Sequence, residues 1–274
     1  MAAPFQRLLL ATEHTEFDAG AENLALELAR RCGQPLCAVL PLVSNPEYEA
    51  LAPEIAARSE QQAACNMTLL RDMAQARGVA LDLHARRGPE PYREIVDEAL
   101  DRASDLIVIR RRGKRSFLAN LLLGEMVSKV VAHAPCSVLI VPRDASMWRR
   151  RILVAVEPGP QGLRLVTLAA AVATECDLPL SVICVTDDDP PQREAADRFV
   201  DMAMTSARQA GVTAEGQVLK GKPYSEIIDA VQRGACDLIV IGSRSNAHIH
   251  RAWIGSVAQK VIGLSEHPVL VVHF

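Results

Sequence analysis

One stretch of the chain occurs twice, and this repetition limits the possible folds more than any other feature. The segment GPEPYREIVDEALDRASDLIVI at 88–109 returns as LKGKPYSEIIDAVQRGACDLIVI at 219–241. At one constant register Pro91 matches Pro223, Tyr92 matches Tyr224, Glu94 matches Glu226, Ile95 matches Ile227 and Asp97 matches Asp229. The run Asp105-Leu-Ile-Val-Ile109 then matches Asp237-Leu-Ile-Val-Ile241. Agreement at so many positions of one register means two homologous halves, so a single fold must serve both.

The similarity extends outward. RLLLATE at 7–13 corresponds to RILVAVE at 151–157, and LLLGEMVSKVVAHAPCSVLIV at 121–141 to AWIGSVAQKVIGLSEHPVLVV at 252–272. The 274 residues suit two domains of about 130–140 residues, each large enough to bury a core. An apolar strand ends at Pro142 and polar residues lead to the next strand, so the boundary is expected within Pro142–Arg150, with domains at 1–143 and 150–274.

Within each half, short apolar runs alternate with stretches of helical periodicity. The first half reads as strands near 6–11, 36–43, 80–85, 105–110 and 136–141, with helices near 18–32, 53–77, 91–103 and 124–133. The second reads as strands near 151–156, 179–185, 213–219, 237–242 and 268–273, with helices near 161–176, 191–210, 223–234 and 255–265. In the helix at 91–103, Ile95, Val96, Ala99 and Leu100 recur on one face, and Pro91 suits its first turn. The LIVI runs lack polar alternation, as central parallel strands covered on both faces do. Parallel neighbours need crossover helices, so the fold class is α/β: two doubly wound domains, each a five-stranded parallel sheet flanked by helices. Ligands of such sheets sit beyond the carboxyl ends of the strands.

Composition narrows the function. A formal charge of −3 gives no global attraction to nucleic acid or an anionic membrane. The N-terminal apolar run has no basic start and is followed at once by Glu13-His14, which fits neither a signal peptide nor a membrane span, so a cytoplasmic location is expected. Cysteines 32, 37, 65, 136, 176, 184 and 236 show no CxxC pair or close metal-ligand spacing and read as buried free thiols. His248 and His250 stand in a polar stretch with no nearby acidic or thiol ligand and no helical HExxH pattern exists, so His248, His250 and His267 read as solvated and no metal site is expected beyond Mg accompanying a nucleotide.

The most informative loop follows the fourth strand of the second half. Gly242-Ser-Arg-Ser245 is followed by nine residues and then by Gly255-Ser256 at a helix start. Glycines permit close backbone approach, and a helix N-terminus offers unpaired N–H groups in a positive potential, which together can hold phosphate. A tight strand-to-helix connection capped by Ser256 accounts for the same residues.

These residues and the order of elements resemble the universal stress proteins, and the resemblance covers essentially the whole chain, twice. ATP-binding members of that family carry Gly-x-x-Gly, nine residues, then Gly followed by Ser or Thr. Gly242, Gly255 and Ser256 match that pattern, while Ser245 stands at the second glycine. Glu157 stands where the family places an Asp near the adenosine. The resemblance implies contacts to ATP or AMP from Glu157, Val185, Gly242, Ser243, Arg244, Ser245, Gly255, Ser256 and Val257.

The first half departs from the pattern. Arg110 replaces the first glycine, ten residues separate Gly113 from Gly124, and Glu125 replaces the serine. A carboxylate at a helix N-terminus competes with an anionic ligand, so this half is the poorer site. Arg110, Arg111, Arg112, Lys114 and Arg115 either grip an anion or form a solvated loop whose arginines pair with acidic residues such as Glu125. Tyr92 and Tyr224, repeated at helix starts, are expected to pack between loop and helix, and Asp105 and Asp237 to bond their own neighbouring backbone before a strand.

No nucleophile, base and orienting group can be assembled, and no Lys-Ser/Thr phosphate loop is present, so a binding module is preferred to a catalyst. The expected function is that of a tandem universal stress protein binding adenine nucleotide, chiefly in the second half. A nucleotide-free interaction scaffold and a weak ATPase are the alternatives. The family implies pairing through last strands, so Val138–Val141 and Val269–Val272 are expected to meet in an internal pseudo-dimer, with further dimerisation and the protein partner open.

Overall fold

A computed structural model describes residues 4–44, 46–111, 124–187, 189–243 and 254–274. The chain divides into two compact units, one holding Phe5–Arg111 with Glu125–Ser146 and the other Met147–Phe274.

In the first unit the apolar runs form β1 (Leu8–Ala11), β2 (Leu36–Val43), β3 (Leu81–Gly88), β4 (Leu106–Arg110) and β5 (Ser137–Val141). They are joined through α1 (Ala19–Cys32), α2 (Pro46–Leu51), α3 (Pro53–Ala76), α4 (Pro91–Asp101) and α5 (Glu125–His133). The strands lie in the order β3-β2-β1-β4-β5, all parallel, with Leu8 opposite both Leu36 and Leu106. The strands β1, β4 and β5 are buried at every residue, whereas in edge strand β3 only Leu83 and Gly88 are buried. Position in the sheet thus explains why LIVI lacks polar residues and LDLHARRG does not.

The second unit repeats the plan. β6 (Ile152–Val156), β7 (Leu180–Thr186), β8 (Ala214–Lys220), β9 (Leu238–Gly242) and β10 (Val269–Val272) alternate with α6 (Pro160–Cys176), α7 (Pro190–Gln209), α8 (Pro223–Arg233) and α9 (Ser256–Leu264). The order is β8-β7-β6-β9-β10, all parallel, with Ile152 opposite Leu180 and Leu238. In each unit the chain leaves the first strand toward one edge and returns to its other side with the fourth. The crevice at the carboxyl ends of β1 and β4, and of β6 and β9, is therefore the topological switch point.

Several expectations need correction. Leu100 was placed on the apolar face of α4 but is 57% exposed, while Glu98 is buried and receives Arg86 at 2.7 Å and Arg102 at 3.0 Å. Two guanidinium groups satisfy the carboxylate, so a charged residue takes the inner face and a leucine the outer. The short helix α2 was not anticipated. None of the cysteines forms a disulfide, but only Cys184 and Cys236 are buried; Cys65 is exposed on α3 and the rest are half-buried. Tyr92 and Tyr224 pack between helices, each ring lying under a lysine, Lys129 at 5.0 Å and Lys260 at 4.5 Å. Among the described residues, no helix is long and apolar enough to cross a membrane.

Asp105 and Asp237 hold structure by a longer reach than expected. The Asp105 carboxylate accepts the N–H groups of Gln6 at 2.8 Å and Arg7 at 2.9 Å, and its own N–H donates to the Arg7 carbonyl at 3.0 Å. Asp237 does the same for Arg149 at 2.7 Å and Arg150 at 3.0 Å, with its N–H on the Arg151 carbonyl at 3.0 Å. Each aspartate ties the start of the fourth strand to the start of the first, setting the register that aligns the far ends of both strands at the crevice. Asp237→Asn leaves one oxygen and turns the other acceptor into a donor facing N–H groups. It is expected to lower unfolding free energy by about 1–2 kcal/mol in urea titration; an unchanged midpoint would show that the tie carries no stability.

Burial pushes the Cys136 thiol up to about 12 and the Cys184 and Cys236 thiols each up to about 11. These groups stay protonated at pH 8, and the thiolate is the reactive form. A thiol-specific disulfide reagent at pH 8 is therefore expected to modify exposed Cys65 first in native protein. Equally fast labelling of Cys184 or Cys236 would contradict their burial.

Candidate functional site

The second unit holds a cavity of about 320 Å³ at the carboxyl ends of β6, β7, β9 and β10. Ala155, Val156 and Glu157 come from the end of β6, Ile183 and Val185 from β7, Ile241, Gly242 and Ser243 from β9, and His273 and Phe274 from beyond β10. Helices close it: Gln161, Gly162 and Leu165 on α6, Pro223 and Ile227 on α8, and Ile254 through Ala258 leading into α9. The volume falls in the range of small-molecule sites.

The walls divide chemically. Leu165, Ile183, Ile227, Ile241 and Ile254, all buried, make an apolar floor. Glu157, Ser243 and Ser256 bring polar groups to the same cavity. Such a site suits a ligand with one flat apolar part and one polar end.

Two backbone features shape the cavity. Gly159 turns the chain between β6 and α6 with φ 141, a conformation that side-chain-bearing residues rarely adopt. At Gly162 a Cβ would lie 2.2 Å from the Glu157 carbonyl oxygen, so only glycine lets α6 seat against the end of β6. On the other side, the Ser243 N–H donates to the Val272 carbonyl at 3.0 Å and the Gly255 N–H to the Ser243 carbonyl at 2.9 Å. The end of β9 and the entry to α9 are thereby pinned together.

Ser256 does not cap α9. The N-cap is Gly255, with no side-chain cap hydrogen bond, and Ser256 is the first helical residue. The capped-connection reading fails in that respect, because the serine lies inside the helix rather than before it. The first-turn N–H groups of a helix have no intrahelical partner, and here they belong to residues of the cavity wall, so the wall includes a positive helix end.

Of the residues expected from the sequence, Glu157, Val185, Gly242, Ser243, Gly255, Ser256 and Val257 line this one cavity. Arg244 and Ser245 lie outside the described residues, as do His248, His250, Arg112, Lys114 and Arg115. The sequence reading missed the apolar floor. Ile183 sits two residues before Val185 on the same face of β7, and Pro223 and Ile227 share one face of α8 four residues apart, so strand and helix periodicity would have found them. Among the described residues, no cluster of three or more His, Cys, Asp or Glu could hold a metal ion.

The first unit treats the corresponding place differently. Arg110 ends β4 where Gly242 ends β9, and it is 5% exposed. Its Nη2 donates to Glu13 Oε2 at 2.7 Å, and its Nη1 to Thr15 Oγ1 at 2.7 Å and Asp18 Oδ2 at 2.9 Å. Glu13 is the counterpart of Glu157, so the guanidinium lies across the end of β1 where the second unit has open space. The suggested pairing of the arginines with Glu125 does not hold for Arg110; Glu125 instead pairs with Lys129 at 2.9 Å.

Hydroxyl groups and a histidine extend this cluster. Asp18 accepts the Thr15 hydroxyl at 2.6 Å, and Glu22 accepts the Thr12 hydroxyl at 2.6 Å and lies 3.0 Å from His14 Nδ1. Asp18 and Glu22 are both buried, so removal of Arg110 would leave carboxylate charge without its fixed partner. A cavity of about 330 Å³ in this unit lies elsewhere, between the end of β2 and helices α2 and α3.

Comparison with known proteins agrees with the repeat. The profile of the Universal stress protein family matches residues 4–142 and again 149–273. A universal stress protein of Synechocystis sp. is 24% identical over 168 residues, a match spanning 61% of this chain and 57% of that relative's length. The crystal structure of a universal stress protein from Archaeoglobus fulgidus superposes with a TM-score of 0.74 at 20% identity, over 98% of this chain and 96% of its own, which shows the shared fold. Another from Archaeoglobus fulgidus, solved in complex with dAMP, aligns with 46% of this chain and 100% of its own at 25% identity and a TM-score of 0.40. With one family domain in each half, the chain belongs to the universal stress protein family.

Proposed function

We propose that this tandem universal stress protein is a stress-response module that binds one adenine nucleotide, ATP or AMP, in the cavity of its second domain. The observation that carries this reading is the contrast at the end of the fourth strand. Gly242 opens onto a cavity with an apolar floor and a helix N-terminus, whereas Arg110 fills the corresponding place with an ion-paired guanidinium. A purine fits the floor formed by Ile183, Ile227 and Ile241, and the ribose hydroxyls would meet Glu157. Phosphates would meet the backbone at Gly242 and Ser243 and the N–H groups of Ser256 and Val257, with Arg244 and Ser245 next in the sequence as further donors. Mg would accompany ATP on its phosphates.

A cytoplasmic setting is supported by the seven cysteines, none of which forms a disulfide, as suits a reducing compartment. The replacement of the motif's second glycine by Ser245 favours the second reading, an interaction scaffold that uses the same fold without nucleotide.

Calorimetric titration of ATP separates the readings. Gly242→Leu is expected to abolish binding, because its side chain would occupy the phosphate path, whereas Gly124→Val should change the affinity less than twofold. Ser256→Ala should weaken binding by about 1 kcal/mol, roughly fivefold, since one hydroxyl is lost while the backbone donors remain. If Gly124→Val abolishes binding and Gly242→Leu does not, the domains are assigned in the wrong order; if the wild type takes up no adenine nucleotide, the scaffold reading replaces this one.

A further inference from the structure

The two domains carry opposite charge at corresponding points beside the start of their last helix. In the first, Lys129 on α5 lies 5.0 Å over the Tyr92 ring and pairs with Glu125 at 2.9 Å and Glu90 at 3.4 Å. Two carboxylates thus surround one ammonium group. In the second, Lys260 keeps the same place, 4.5 Å over the Tyr224 ring. The repeat, however, puts Ser256 at the position of Glu125 and Lys222 at that of Glu90. Among the described residues, neither Lys222 nor Lys260 forms an ion pair.

Both lysines neighbour residues of the cavity wall. Lys222 is the N-cap of α8 and immediately precedes Pro223, which is in the cavity wall. Lys260 follows Ser256, also in the wall, by one helical turn, which puts the two on the same face of α9. The Tyr224 ring holds the Lys260 ammonium beside the start of α8, the helix that Lys222 precedes, so the two lysines stand at neighbouring points next to the wall residues Pro223 and Ser256 and the positive end of α9. Like charges gathered this way repel, and the carboxylates that offset Lys129 in the first domain are missing here. A ligand with several negative charges in a row would offset both.

We propose that Lys222 and Lys260 form a cationic rim that selects a polyphosphate ligand, a nucleoside triphosphate over its monophosphate, at the second-domain cavity. This rests on the nucleotide reading of that cavity and adds to it the length of the phosphate chain. Lysine suits the task because a flexible stem carries a compact charge to phosphates that vary in position. AMP, bound through its base, sugar and first phosphate, would stop short of the rim.

The test is calorimetric titration of adenosine, AMP, ADP, ATP and inorganic tripolyphosphate at low ionic strength into wild type, Lys222→Glu, Lys260→Gln and the double variant. Wild type is expected to bind ATP roughly tenfold more tightly than AMP, and the double variant to lose that preference while its AMP affinity stays within twofold. Retained AMP binding shows that the variants are folded. An unchanged ATP preference in the double variant, or equal loss for AMP and ATP, overturns the rim. Equal affinity of wild type for AMP and ATP overturns it too, and leaves the nucleotide reading standing. Tripolyphosphate binding that depends on both lysines, with no gain from an adenosine group, would keep the rim and defeat the nucleotide reading.

Discussion

The pairing of the first strand with the fourth, β1 with β4 and β6 with β9, is the constraint from which the rest of each domain follows. Leu8 opposite Leu106 and Ile152 opposite Leu238 set the register. Asp105 and Asp237 fasten the amino ends of those pairs through backbone N–H groups that would otherwise face solvent at the sheet's lower rim. With that end tied, the carboxyl ends come level and the chain diverges to both sides, which leaves a crevice above each pair. The residue that ends the fourth strand then decides what the crevice contains.

Arginine and glycine make opposite use of the same backbone. At Arg110 the guanidinium turns back over β1, meets Glu13, Thr15 and Asp18, and converts a ligand crevice into an ion-paired core. Such a buried cluster adds little net stability, since desolvation offsets attraction, but breaking it by removing one partner costs about 3–5 kcal/mol. The first domain is therefore committed to its closed form, and the second keeps the open one. One fold thus carries a crevice filled by its own arginine in the first domain and an open crevice in the second.

The repeat and the uninterrupted LIVI runs made the alternation of strands and helices legible in the sequence, because period and burial there depend on local residues. The glycines and serine near the ends of β9 and α9 were legible as one constellation for the same reason, and the structure brings them to one cavity with Glu157 and Val185. What could not be read depends on contacts between distant segments. Nothing near Arg110 in the chain announces Asp18, 92 residues earlier, as its partner. Likewise Leu100 faces outward because Arg86 and Arg102 draw Glu98 inward, a choice made by charge pairing rather than by helical period. The aspartates before β4 and β9 looked like local turn formers, yet their acceptors serve the start of another strand.

The contrast between an open and a self-filled crevice is tested most directly by photolabelling the wild-type chain with 8-azido-ATP and mapping the modified peptides by mass spectrometry. Label should fall on second-domain segments bordering the cavity, around Ile183–Val185 or Pro223–Ile227, compete away with ATP, and spare the first domain. ATP-protected label on the segment from Glu13 to Glu22 or beside Arg110 would contradict the closed first domain, and the absence of any ATP-protected label would contradict the open second one.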